Sequence, residues 1–178
     1  MEKPYLIFVH IGKTSGMSMR RWINSSNVED QYKWVAHIYK GMPLSDTFGP
    51  LYYTSTKYTI VRHPVERYKS VCRHLKKDAN DPLTLVNDGI NVEFFRPMSQ
   101  TLIQGGELQV DKVFKLEEDV PDNMVAWHES LGITNPEPYP HFTQHQPDTE
   151  KEELTEETLY RVMDYYNNDF SNFGYTID

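Results

Sequence analysis

The sequence predicts an α/β fold in three layers, a central parallel sheet with helices on both faces. Three observations lead there. Two short continuous apolar runs, YLIFV at residues 5–9 and YTIV at 58–61, read as strands covered on both sides. Each is followed by a polar turn and then a helical pattern. Strand-like and helix-like stretches alternate along the chain, as parallel sheets with crossover helices require. No repeat, low-complexity tract or linker divides the 178 residues, so one domain over 1–178 is expected.

The first strand runs into His10-Ile11-Gly12-Lys13-Thr14-Ser15-Gly16-Met17-Ser18. Two glycines bracket a lysine and two hydroxyls. Glycine allows a sharp turn and a close backbone approach. The helix beyond, expected over residues 17–26, offers unpaired N–H groups and the positive end of its dipole. This suits a phosphate or sulfate group. Gly12-Lys13-Thr14 matches the end of the nucleotide-binding P-loop, but Ile7 stands where that motif needs its first glycine. The loop is therefore P-loop-like and shorter than a triphosphate cradle.

A second strand is expected at residues 32–36, with His37 at its carboxyl end. Residues 41–57 contain Pro43, Gly49, Pro50 and the pair Tyr52-Tyr53. They read as a connecting loop or short helix that could border an acceptor site, the tyrosines either stacking on a sugar or, the reading preferred, covering the core. The strand at 58–61 leads to Arg62. Pro64 then suits the first turn of a helix. Val65, Tyr68, Val71, Cys72 and Leu75 recur at helical spacing, with Ser70 near the middle. Ligands of open α/β sheets bind beyond the carboxyl ends of the strands, where both polar stretches fall.

Residues 78–91 read mostly as loop. A helix over 92–103, distorted at Pro97, ends at Gly105-Gly106. A strand at 110–116 and a helix at 121–131 follow, the latter stopped by Gly132 with His128 on its surface. Residues 135–149 contain four prolines and both His141 and His145. Pro140 and Pro147 argue against the helix that would pair those histidines on a metal. A final helix over 155–169 should pack Leu159, Val162, Met163 and Tyr166 on the sheet.

Taken together, the two polar stretches resemble the sulfotransferases that use 3′-phosphoadenosine 5′-phosphosulfate (PAPS), in particular the carbohydrate sulfotransferase branch. Residues 10–18 are similar to its strand-His-Ile-Pro-Lys-Thr-Gly-Gly-Thr-Ser motif. Arg62-His63-Pro64-Val65-Glu66-Arg67-Tyr68-Lys69-Ser70 is similar to its Arg-x-Pro-x-x-Arg-x-x-Ser motif. Tyr166-Asn167-Asn168-Asp169-Phe170 and Phe173-Gly174-Tyr175 look like the family's closing segment, and Lys115-Leu116-Glu117 fits as well. The departures are Gly12 for proline, Ser15 for glycine and Met17 for threonine.

The resemblance implies a PAPS-dependent sulfotransferase acting on an acceptor hydroxyl, with a carbohydrate favoured. It places Gly12, Lys13, Thr14, Ser15, Gly16, Met17, Ser18, Arg62 and Ser70 around the donor nucleotide. Lys13 and His37 would be catalytic, His37 as general base, a role that suits histidine as a residue type whose ordinary pKa lies near neutrality. Arg67 would make a structural pair with an acid from the tail, and His10 would pack or orient the loop. No metal is demanded. The alternatives are a small P-loop kinase, a non-catalytic nucleotide-binding protein of the same fold, and a purely structural α/β module.

The net charge of −8 hides an asymmetry: +8 over residues 1–77, −3 over 78–106 and −13 over 107–178. The basic third holds both candidate anion motifs, which suits a multiply charged nucleotide. A nucleic-acid partner would usually demand a more basic balance. No apolar run reaches the roughly 20 residues of a membrane span, and no signal peptide is evident. Cys72 is the only cysteine. A cytoplasmic location is the expectation.

Overall fold

The computed structural model describes residues 2–38, 42–85, 92–140 and 153–176, without the side chains of His37, Ile38 and Val92. Four parallel strands form the sheet: β1 (Tyr5–His10), β2 (Lys33–Ile38), β3 (Thr56–Val61) and β6 (Lys112–Lys115), in the order β2-β1-β3-β6. Val9 lies beside His37 on one side and Thr59 on the other. Because β1 is central, the chain leaves it towards β2, returns across it to β3, and continues outward to β6. The carboxyl ends of β1 and β3 therefore flank the point where the winding reverses, the place where open α/β sheets hold ligands.

Strand alternation divides the core. Leu6, Phe8, Tyr58 and Ile60 face one side, against Met19, Trp22 and Ile23 of α1 (Gly16–Asn24) and Met124 of α8 (Asp122–Ser130). Ile7, Val9 and Val61 face the other. There they meet Leu44 of α3 (Leu44–Phe48), Met98 and Leu102 of α7 (Met98–Leu102), and Phe173 of α10 (Asn167–Phe173). Each large apolar side chain so buried contributes about 1.5–3 kcal/mol. A third cluster joins α5 (Pro64–Leu75) to α6 (Val92–Phe95) and α9 (Glu156–Tyr165). The α/β architecture with a central parallel sheet and helices on both faces is thus as the alternation predicts.

Several elements differ from the sequence expectation. The helix expected over 92–103 is two short helices, because Pro97 removes a backbone donor and stands as the N-cap of α7. Gly105 and Gly106 do not stop a helix. Both have positive φ (58° and 83°) and turn the hairpin of β4 (Ile103–Gln104) and β5 (Glu107–Leu108). The final helix breaks at Tyr166 into α9 and α10. Val162 and Tyr166 pack on α5 and α6, not on the sheet.

Residues 44–54 form α3 and α4 (Leu51–Thr54), which precede β3. Tyr52 donates to Gln109 at 2.5 Å, and Lys57 at the start of β3 donates to the Tyr52 carbonyl at 2.9 Å. The tyrosine pair therefore lies at the amino ends of the strands, away from the loops after β1 and β3. Among the described residues, no helix is long and apolar enough to cross a membrane.

His128 is fully buried, not on the surface. Its Nδ1 sits 2.8 Å from the Met124 carbonyl, and its ring lies edge-on to Trp22, Tyr58 and Trp127. Burial drives its pKa down to about 4.

Candidate functional site

The loop after β1 is shaped by two residues in left-handed backbone conformations, Lys13 (φ 68°) and Ser15 (φ 67°). Neither is glycine, so each costs about 1–2 kcal/mol of steric strain. Such strain concentrates at functional sites. The flanking glycines serve closeness instead. A Cβ on Gly16 would stand 1.9 Å from the His10 ring, and one on Gly12 would stand 3.0 Å from Phe94. His10, stacked on Phe8, fills the space that Gly16 leaves. It thus packs under the loop as expected, and burial, then Arg20, lowers its pKa to about 4.

Ser15 caps α1, whose first backbone bond runs from the Met19 N–H to the Ser15 carbonyl at 3.1 Å. The N–H groups of Gly16, Met17 and Ser18 are left at the helix end. Thr14 turns inward: fully buried, it donates to the Ile11 carbonyl at 2.9 Å and so braces the loop from below. Ser18 is nearly buried in the first turn of α1, whereas Met17 is 75% exposed.

The second motif meets the first. Arg62, just past β3, directs Nη1 at the Lys13 carbonyl, at 3.5 Å. Pro64 opens α5, whose first bond joins the Arg67 N–H to the His63 carbonyl at 2.8 Å. Two helix amino ends therefore converge beyond β1 and β3.

Arg67 ties the site together from within. It is 1% exposed and donates through Nε to Gly12 at 3.1 Å, through Nη1 to Arg96 at 3.0 Å and through Nη2 to Phe94 at 2.7 Å, all backbone carbonyls. An acid from the tail was expected as its partner; Asp169, the tail acid that feels its charge, accepts instead from the Met98 and Ser99 N–H groups at 2.8 and 2.7 Å. Burial raises the Asp169 pKa despite those bonds.

Lys13 has cationic neighbours, while Glu66 and Glu117 act on Arg62. Burial holds Lys13 below the usual lysine range, and the positive charges of Arg62 and Arg73 add to the effect. Burial likewise lowers Arg62, against Glu117 and Glu66. His74 is lowered by burial and then by Lys13. No carboxylate among the described residues forms an ion pair with Lys13, Arg62 or Arg73. An incoming anion would relieve this repulsion.

Arg73 and His74 on α5 were not among the site residues expected from the sequence. Both are exposed, yet the charge of Arg73 adds to the lowering of Lys13 and that of Lys13 to the lowering of His74. The signal was present in the spacing: Arg73 and His74 stand three and four residues beyond Ser70 on α5, one helical face. Phe94 was also missed. Its ring lies between Gly12 and His74, 5.3 Å from the histidine ring, and only the fold brings it there.

Ser70 is half-buried on that same helix. The backbone of His37 is in β2, next to Val9, at the carboxyl end of the sheet. Its side chain lies outside the described residues, as do His141 and His145. Two cavities, of about 540 and 640 Å³, lie elsewhere, one beside Trp34 and the other beside β6 and α10.

No protein-family model, curated protein or solved structure matches the chain.

Proposed function

We propose that the protein is a sulfotransferase that moves a sulfuryl group from PAPS to an acceptor hydroxyl, on a carbohydrate by preference. The observation that carries this reading is the meeting of the two motifs. Residues 49 apart in sequence, Lys13 and Arg62, come together at the turn after β1 between two helix amino ends, with no ion pair to Lys13 or Arg62 among the described residues. A nucleotide with separate phosphate and phosphosulfate groups matches such a site in charge.

Lys13 and the N–H groups at the start of α1 stabilise negative charge growing on the 5′-phosphate oxygen as its bond to sulfur breaks. Arg62, with Ser70 and Arg73 on α5, holds the 3′-phosphate and fixes the donor's position. His37, from the end of β2, takes the proton of the attacking hydroxyl as the new S–O bond forms. The products are a sulfate ester and 3′-phosphoadenosine 5′-phosphate (PAP). The charge cancellation rests on fixed cations and dipoles and calls on no metal ion.

Incubation with labelled PAPS and a panel of sugar acceptors tests this. Transfer should occur in the native protein and fall at least a hundredfold in Lys13→Ala. Undiminished transfer by that variant would remove Lys13 from the mechanism. One feature favours a second reading, a nucleotide-binding protein without transfer: Met17 exposes a thioether where the sulfotransferase motif has a hydroxyl. Tight PAP binding without transfer to any acceptor would select it.

A further inference from the structure

Ser15 stands in a left-handed conformation at the pivot of the loop, with φ 67° and ψ 15°. Its side chain makes no capping bond to α1. Instead its Oγ lies 3.2 Å from the phenol oxygen of Tyr139, a residue 124 positions away. Tyr139 is 7% exposed, with its ring 6.1 Å from that of Trp22 on α1. The segment bearing it is fastened to the same helix. Trp22 donates through Nε1 to the Glu137 carbonyl at 3.2 Å, and Asn135 donates to the Trp22 carbonyl. Of these ties, the Tyr139 phenol alone reaches the residue that sets the loop's turn. A serine resists the left-handed conformation because its Cβ crowds the following carbonyl, whereas glycine has no such conflict.

We infer that Tyr139 is a positioning residue for the anion loop: its hydroxyl holds Ser15 in the conformation that aims the N–H groups of residues 16–18 and Lys13 at the bound anion. The inference rests on the reading of this loop as the donor site. It also accounts for a serine at a position where the sulfotransferase motif has glycine: the hydroxyl supplies by a hydrogen bond what glycine supplies by freedom. Burial pushes the Tyr139 phenol up to about 12, so it keeps its proton over the working pH range.

Four proteins decide it: the native chain, Tyr139→Phe, Ser15→Gly and the double variant. Each is titrated with PAP, and the amide resonances of residues 13–16 are followed by NMR without ligand. Tyr139→Phe should shift those resonances and weaken PAP binding about fivefold, the value of one net hydrogen bond. In the Ser15→Gly background, the same change should leave affinity within twofold, because glycine needs no holding. Unchanged resonances and affinity in Tyr139→Phe would overturn the inference. So would equal weakening in both backgrounds, which would mean that Tyr139 acts by packing on Trp22. Should the native protein not bind PAP, the proposed function fails. The resonances then decide the positioning role alone, a shift in Tyr139→Phe sustaining it and no shift overturning it.

Discussion

Moderate acid should destabilise this protein through His128. Free histidine titrates near 6.5, and burial among Trp22, Tyr58 and Trp127 takes this one to about 4. Between those values the unfolded chain binds a proton that the native chain refuses, so stability falls as pH falls. The full loss below pH 4 is about 3 kcal/mol, with about 2 kcal/mol already gone at pH 5. His10, also near 4, adds a similar loss in the same window. Asp169 acts the other way, because its raised pKa lets the native state take up a proton sooner than the unfolded chain. Urea unfolding at pH 7.5 and 5.0 measures the sum, and His128→Phe isolates one contribution. Phenylalanine suits the aromatic surroundings, and whatever it costs at neutral pH cancels in the comparison. The variant should lose about 2 kcal/mol less than the native protein between the two pH values. Equal losses would show that His128 titrates normally in the folded state and that its burial is wrong.

Other consequences follow from the packing under the loop. Gly16→Ala drives a methyl group into the His10 ring and should destabilise by about 1–3 kcal/mol in urea. Combining it with His10→Ala should recover part of that loss, and strictly additive losses would contradict the contact. Arg67→Met removes three hydrogen bonds and leaves their carbonyl acceptors unpaired, at a cost of about 3 kcal/mol or more. A loss under about 1 kcal/mol in the same assay would show that the three carbonyls find other donors.

The sheet was legible because its central strands are buried on both faces. Short runs such as YLIFV and YTIV, bounded by turn signals, suit strands covered on both faces. The two candidate anion motifs were legible as strand ends followed by helices, and their meeting follows from the position of β1 between β2 and β3. What the sequence concealed is tertiary. The aromatic box around His128 joins α1, β3 and α8, and no spacing within residues 121–131 announces it. Glycine in the loop suggested freedom of φ, but the strain falls on Lys13 and Ser15 while Gly12 and Gly16 make room for Phe94 and His10. The Gly105-Gly106 pair was read as a helix stop and turns a hairpin instead. Pro97 decided it, since α7 is too short to carry a helix that far. Arg67 offered an ion pair on paper. The fold gave it three carbonyls, because the loop after β1 and the segment around Phe94 both end beside it.

The central claim is that the loops after β1 and β3 jointly bind a nucleotide through its 3′-phosphate. Calorimetric titration with PAP, beside ATP and 5′-AMP in the absence of magnesium, tests it most directly. The account predicts tight binding of PAP, weak binding of 5′-AMP, and loss of the difference in Arg62→Ala. Equal affinity for PAP and 5′-AMP, or a preference for ATP that needs magnesium, would contradict it.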